Sequence, residues 1–199
     1  MTGSSNSSIR KTIVGLQGSG KTELAKRFIK QKTSIGKKVL VIDILNEYNT
    51  KKLGAIDIYI PENSINPISE VDTVIKNYIL NPYFETGKQP YSLIVFDEGS
   101  RYFQNKVPLP QSMGYINDMA RHLKLDVLVI ARRFTQLNTD LVELSHKLYI
   151  FNQTGINDIK RLNELAIGLG DTVLNLPIYH YIEVDQWRKY KIMPPIKLV

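Results

Sequence analysis

Apolar residues along the chain fall into two patterns. Short runs rich in β-branched and aromatic residues alternate with stretches where apolar positions recur every three or four residues. The run from Lys11 to Leu16 predicts a strand, and Leu24, Ala25, Phe28 and Ile29 mark the inner face of a helix from Lys21 to about Thr33. "GKKVLVIDI" predicts a buried strand ending at Asp43, and "AIDIYI" a short third strand closed by Pro61. "SEVDTVIKNYIL" opens on a serine cap and keeps Val71, Val74, Ile75 and Ile79 at helical spacing, with "NPY" as its end. "YSLIVFDEGS" is a fourth strand that finishes in two acids.

Beyond it, a proline-bearing loop, "NKVPLPQS", leads to a helix, "MGYINDMARHLK", and a fifth strand, "DVLVIARR". "TDLVELSH" gives one or two helical turns, "KLYIF" another strand and "NDIKRLNELAIGL" a helix. "PIYHYIEVD" and "RKYKIM" form a terminal antiparallel hairpin. This alternation predicts an α/β fold with a mostly parallel central sheet flanked by helices. No repeat, low-complexity tract or linker interrupts it. The expectation is a single domain over residues 11–199, after a flexible polar lead-in over residues 1–10 that lacks the apolar core of a signal peptide.

Composition narrows the chemistry. The chain has no cysteine, which excludes disulfides and thiolate metal sites, and His122, His146 and His180 are too scattered for zinc. No apolar run approaches the roughly 20 residues that cross a bilayer. The net charge of +7 favours an anionic partner, nucleic acid being the commonest, although solvated lysines give the same sum.

The strongest signal is "GLQGSGKT" between the first strand and the first helix. Gly15, Gly20, Lys21 and Thr22 match the spacing G-x-x-x-x-G-K-[ST] at every position. Glycines let several backbone N–H groups converge on one anion at a helix N-terminus. Gly15, Gln17, Gly18, Ser19, Gly20, Lys21 and Thr22 are thus the expected nucleotide-binding residues. Lys21 reaches the β- and γ-phosphates, Thr22 binds Mg2+, and Gln17 and Ser19 contribute mainly backbone. Asp97 is suited to hold magnesium, directly or through water, and Glu98 to orient and deprotonate an attacking water. The alternative is that both acids cap the next turn. Small-molecule kinases rarely carry such a second acid, and the guanine-reading N-K-x-D and the D-x-x-G switch of GTPases are absent. The chain therefore reads as a water-activating ATPase.

Three stretches together resemble the HerA/FtsK-type motor ATPases, especially the genome-packaging ATPases of membrane-containing icosahedral viruses. They are "GLQGSGKT"; "VIDILNEY", with Asp43, Glu47 and Tyr48 as a D-x-x-x-E-Y turn; and "LIVFDEGSRYF" followed by "VLVIARRFTQLNTDLVELSHKLYIF". The resemblance spans residues 11 to 185. It implies a RecA-like (ASCE-type) P-loop NTPase fold, ATP and Mg2+ as cofactors, and a homo-oligomeric ring. It further implies sequence-independent translocation of double-stranded DNA into a viral capsid, with capsid or portal-vertex proteins as partners. The implied location is the host cytoplasm, in association with the virion or procapsid vertex.

Many members of that group place a γ-phosphate-sensing glutamine just after strand five. Here "ARRFTQ" puts Arg132 or Arg133 in that place and Gln136 a little later, so either Gln136 or an arginine fills the role. Arg132 and Arg133 read equally as arginines completing a neighbouring subunit's site or as ordinary exposed cations. Arg121 and Arg101 are weaker candidates. Lys51, Lys52, "QNKVPLP" and "RRF" are candidate DNA contacts or solvated surface. Tyr179, Tyr181, Trp187 and Tyr190 fit hairpin packing or a subunit contact better than base stacking. The rival readings are a cellular or plasmid HerA/FtsK-like translocase, a filamentous-phage assembly ATPase, a small-molecule kinase and a nucleotide-stabilised binding module.

Overall fold

The computed structural model describes residues 9–62 and 66–196, so most of the expected lead-in lies outside the described residues. The chain begins with β1 (Arg10–Val14), α1 (Lys21–Thr33), β2 (Val39–Ile42), α2 (Thr50–Leu53) and β3 (Ile56–Tyr59). α3 (Ile68–Ile75) and α4 (Asn81–Thr86) are joined by a π-helical turn, Lys76–Leu80, and lead to β4 (Leu93–Phe96). Next come α5 (Gln111–Leu123), β5 (Asp126–Ala131), α6 (Thr139–Glu143) and β6 (Lys147–Phe151). α7 (Ile156–Leu165), α8 (Leu169–Leu174), β7 (Tyr181–Asp185) and β8 (Tyr190–Met193) complete the order.

The strands form one sheet in the order β3-β2-β4-β5-β1-β6-β7-β8. Pairing is parallel from β3 through β6 and antiparallel in the expected terminal hairpin. Successive residues of the central strands bury opposite faces, as a pleated strand requires. Val39 and Val41 of β2, Leu93 and Val95 of β4, and Leu128 and Ile130 of β5 pack with Leu24, Ala25 and Ile29 of α1. Their neighbours Leu40, Ile42, Ile94, Phe96, Val127 and Val129 pack with α3, α5 and α8 on the other side. β5 separates β1 from β4, so the carboxyl ends of these three strands open together, where ligands bind in sheets of this kind.

Several local expectations change. The helix through Val71 does not end at "NPY": it widens into the π turn, with the Asn81 N–H on the Lys76 carbonyl, and continues past Pro82. A wider turn relieves the clash between a proline ring and the carbonyl one α-turn back, which sequence pattern alone does not reveal. Ser69 lies inside α3, whose cap position is Pro67, so it does not cap the helix. The short helices α2 and α8 were not expected. Of the four C-terminal aromatics, Tyr181 is buried against Tyr149 and Phe151. Tyr179 and Trp187 are exposed. Among the described residues, no helix is long and apolar enough to cross a membrane.

Candidate nucleotide site

The glycine loop crosses the carboxyl edge of the sheet with both flanks pinned. The Gly15 N–H donates to the Ala131 carbonyl at 3.2 Å, and the Leu16 N–H to the Asn152 carbonyl at 3.1 Å, so β5 and β6 both hold it. Buried Phe151 is the floor: a Cβ on Gly15 would stand 2.5 Å from the Phe151 Cβ. Gly18 and Gly20 have φ of 73° and 107°, the left-handed region that favours glycine. Gly20 caps α1, whose first N–H groups face the loop's concavity. Lys21 folds back so that Nζ donates to the Leu16 carbonyl at 2.8 Å. Burial lowers its pKa, while Glu98 and Asp97 act in the opposite direction. The Ser19 hydroxyl is buried without a hydrogen-bond partner among the described residues, and Gln17 and Gly18 are exposed at the loop's tip.

Asp97 and Glu98 follow β4 on the same edge. Asp97 is 4% exposed, and its Oδ1 accepts the Glu98 N–H at 3.0 Å. Burial pushes its carboxyl up to about 7; the nearby Glu47, Glu98 and Asp43 add to the rise and the Glu98 N–H opposes it. A carboxyl in such a place lacks positive charge, which a divalent cation supplies. The Thr22 hydroxyl donates to Glu47 Oε2 at 3.2 Å. Among the described residues no three His, Cys, Asp or Glu side chains gather into a metal cage. The residues nonetheless fit Mg2+, which takes one or two protein ligands beside phosphate oxygens and water. Thr22 and Asp97 are the protein groups that would hold it.

Glu98 has φ 53° and ψ 45°, a left-handed conformation unusual for a side chain of its size. Its Oε1 accepts from Arg132 Nε at 2.8 Å. The two sequence-candidate arginines therefore part. Arg133 turns to Asp158, with Nε 2.9 Å from Oδ2, and Asp158 also accepts the Thr135 N–H at 2.9 Å and the Thr135 hydroxyl at 2.7 Å. The Gln136 side chain is exposed on the 3-10 turn Phe134–Gln136 and makes no hydrogen bond among the described residues. The structure thus gathers Lys21, Thr22, Asp97, Glu98 and Arg132, joined by Glu47, and leaves Arg133 and Gln136 outside the group.

The turn after strand two also feeds the site. Fully buried Asp43 accepts the Tyr48 N–H at 2.9 Å, which fixes the stretch carrying Glu47. Burial raises the Tyr48 phenol far above its ordinary value. Sequence reasoning missed Gln153 and Asp158. Gln153, 1% exposed, donates from Nε2 to the Arg132 carbonyl at 2.9 Å, bracing the same loop from β6. Its signal was available: a polar residue just past an apolar strand, the position that drew attention to Asp97. Asp158 carries no such signal, since acids are common in the first turn of a helix.

Fold and loop together define a P-loop NTPase fold: a mostly parallel eight-stranded sheet with flanking helices and a C-terminal antiparallel hairpin. Among solved structures, the chain is similar to B204, the DNA-packaging ATPase from Sulfolobus turreted icosahedral virus, with a TM-score of 0.80 and 17% identity over 96% of this chain and 100% of that one. The genome packaging NTPase B204 from Sulfolobus turreted icosahedral virus 2, in complex with ATP-gammaS, gives 0.77 at 16% identity over 96% and 98% of the two chains. VirB4 of Thermoanaerobacter pseudethanolicus gives 0.68 at 10% identity, covering 96% of this chain and 90% of its own. No family model and no curated protein matches the sequence.

Proposed function

We propose that this chain is a magnesium-dependent ATPase that couples hydrolysis to the movement of double-stranded DNA, as a homo-oligomeric ring packaging a viral genome. The observation that carries the reading is Glu98, presented from a left-handed turn beside Asp97 and held by Arg132 at 2.8 Å. This presentation supports a carboxylate that activates water, which a phosphotransferase with an organic acceptor does not need. The fold shared with viral packaging ATPases supports the cargo.

In this reading the loop N–H groups and Lys21 hold the β- and γ-phosphates, and Thr22 and Asp97 hold magnesium, which neutralises charge on the phosphate oxygens. Glu98 accepts a proton from water as its oxygen bonds to the γ-phosphorus; the bridging P–O bond breaks and its electron pair leaves with ADP. Arg132, already on Glu98, is the arginine that senses the γ-phosphate. Arg133 and Gln136 serve the loop rather than the phosphate. The ring packs against the procapsid vertex in the host cytoplasm, contacting capsid or portal proteins there.

The test is ATP hydrolysis with and without random-sequence duplex DNA, for wild type and Glu98→Gln. Stimulation by DNA, abolished in the variant while ATP binding persists, supports the motor. Phosphate transferred to a small acceptor, with DNA having no effect, sinks it.

A further inference from the structure

A second cluster of cationic groups lies at the opposite edge of the sheet from the nucleotide loop. Arg10 begins β1, and four residue steps along the strand separate it from Val14, about 13 Å at the usual rise. His146 immediately precedes the parallel strand β6, and Arg121 and His122 close α5. Together with Asp118 and Ala120, these four side chains line a cavity of about 210 Å³.

Its lining is donor-rich. The Arg10 N–H donates to His146 Nδ1 at 3.2 Å, so a neutral His146 carries its ring hydrogen on Nε2. One Arg10 guanidinium nitrogen is spent on the Asn117 carbonyl, while Nε is buried without a partner among the described residues. Arg121 is exposed and makes no ion pair among the described residues. Asp118 is the only acid of the lining among the described residues. Burial, then Arg10 and Arg121, lowers the His146 pKa, with Asp126 acting in the opposite direction.

Nearby cations lack this character: Lys11 and Lys32 both pair with Asp126, at 3.6 and 2.9 Å. Lys124, in the turn after α5, is exposed and forms no ion pair among the described residues. The positive surface therefore extends past a pocket large enough to admit a phosphate group, as a polyanion requires.

We propose that this pocket binds a backbone phosphate of duplex nucleic acid, giving the chain a DNA grip at the pole opposite its nucleotide site. The assignment rests on the translocase reading and places the contact apart from Lys51, Lys52 and the loop "QNKVPLP". Guanidinium groups suit a phosphodiester through paired N–H donors, and such contacts carry no base preference.

The test is fluorescence anisotropy with a labelled random-sequence duplex over a series of salt concentrations. The proteins are wild type, Arg121→Ala/His122→Ala and Arg121→Lys, each first checked for an unchanged thermal melt. The double variant is expected to bind about tenfold more weakly at low salt, with the slope of log K against log salt reduced by about one, while Arg121→Lys keeps most of the affinity. Equal affinity and slope in wild type and double variant overturn the pocket and leave the translocase reading standing. A wild type that binds no duplex, whether or not it binds phosphatidylglycerol vesicles, overturns both.

Discussion

Replacing Asp97 by asparagine should stabilise the chain without nucleotide and magnesium, the reverse of the usual effect of altering a buried polar site. The carboxyl stands at about 7 in the folded state, against an ordinary 3.8. A raised folded-state pKa gives stability that is fully present below the unfolded value and is lost as pH rises through the folded one. Between those limits the carboxylate costs on the order of 4 kcal/mol, taking about three pH units at 1.36 kcal/mol each. About 2.5 kcal/mol of that falls between pH 5 and pH 8. Asparagine keeps an oxygen for the Glu98 N–H and carries no charge, so it escapes the cost.

The assay is urea unfolding in EDTA at both pH values. The advantage of Asp97→Asn should grow by about 2.5 kcal/mol from pH 5 to pH 8. Adding Mg-ATP with magnesium in excess of the EDTA should then raise the wild type's midpoint more than the variant's, which keeps the glycine loop and Lys21 but loses a charged magnesium ligand. A pH-independent difference, or a variant less stable at pH 8, refutes the reasoning that burial among acids holds this carboxyl high.

Two further outcomes follow from packing. Gly99→Ala puts a methyl into Val129 Cγ1 and 3.1 Å from the Ile130 carbonyl, so it should cost about 1–3 kcal/mol, read as a lower urea midpoint; an unchanged midpoint refutes the contact. Asp158→Ala strands the Thr135 N–H and releases Arg133, which should cost about 1–3 kcal/mol. It should also slow ATP hydrolysis with little change in nucleotide affinity, and a loss confined to nucleotide affinity would contradict the bracing role.

The sheet and the loop were largely legible because their signals are local. Apolar runs gave every strand to within a few residues, and α1 begins at Lys21 because Gly20 supplies the left-handed cap that the motif requires. The passage of the helix through Pro82 was not legible, since the pattern reads proline as a helix end and the π turn that makes room for its ring leaves no local signal. Nor could sequence separate Arg132 from Arg133. Consecutive residues in extended backbone point to opposite sides, and Arg133 is extended at φ −129° and ψ 135°. Which side meets Glu98 is set by the pairing of β5 with β4, Val129 opposite Phe96. That is tertiary information.

The same register ties the acid's geometry to parts of the chain far from it in sequence. Arg132 is held on Glu98 by a side-chain bond, and its own carbonyl is held by Gln153 from the end of β6. One residue later Arg133 is fastened to Asp158 in the first turn of α7. Glu98 itself has only the short turn Gly99–Arg101 behind it, packed through Gly99 onto Val129 of β5. A shift of α7 against the sheet would therefore pull on the Arg132 loop and change how Glu98 is presented, while Lys21 and Thr22 stayed pinned by β5 and β6 through Gly15 and Leu16. In the proposed mechanism, nucleotide binding and water activation are mechanically separable, as coupling hydrolysis to movement would require: phosphate grip would rest on the rigid strands, and timing on the loop between Arg132 and Gln136.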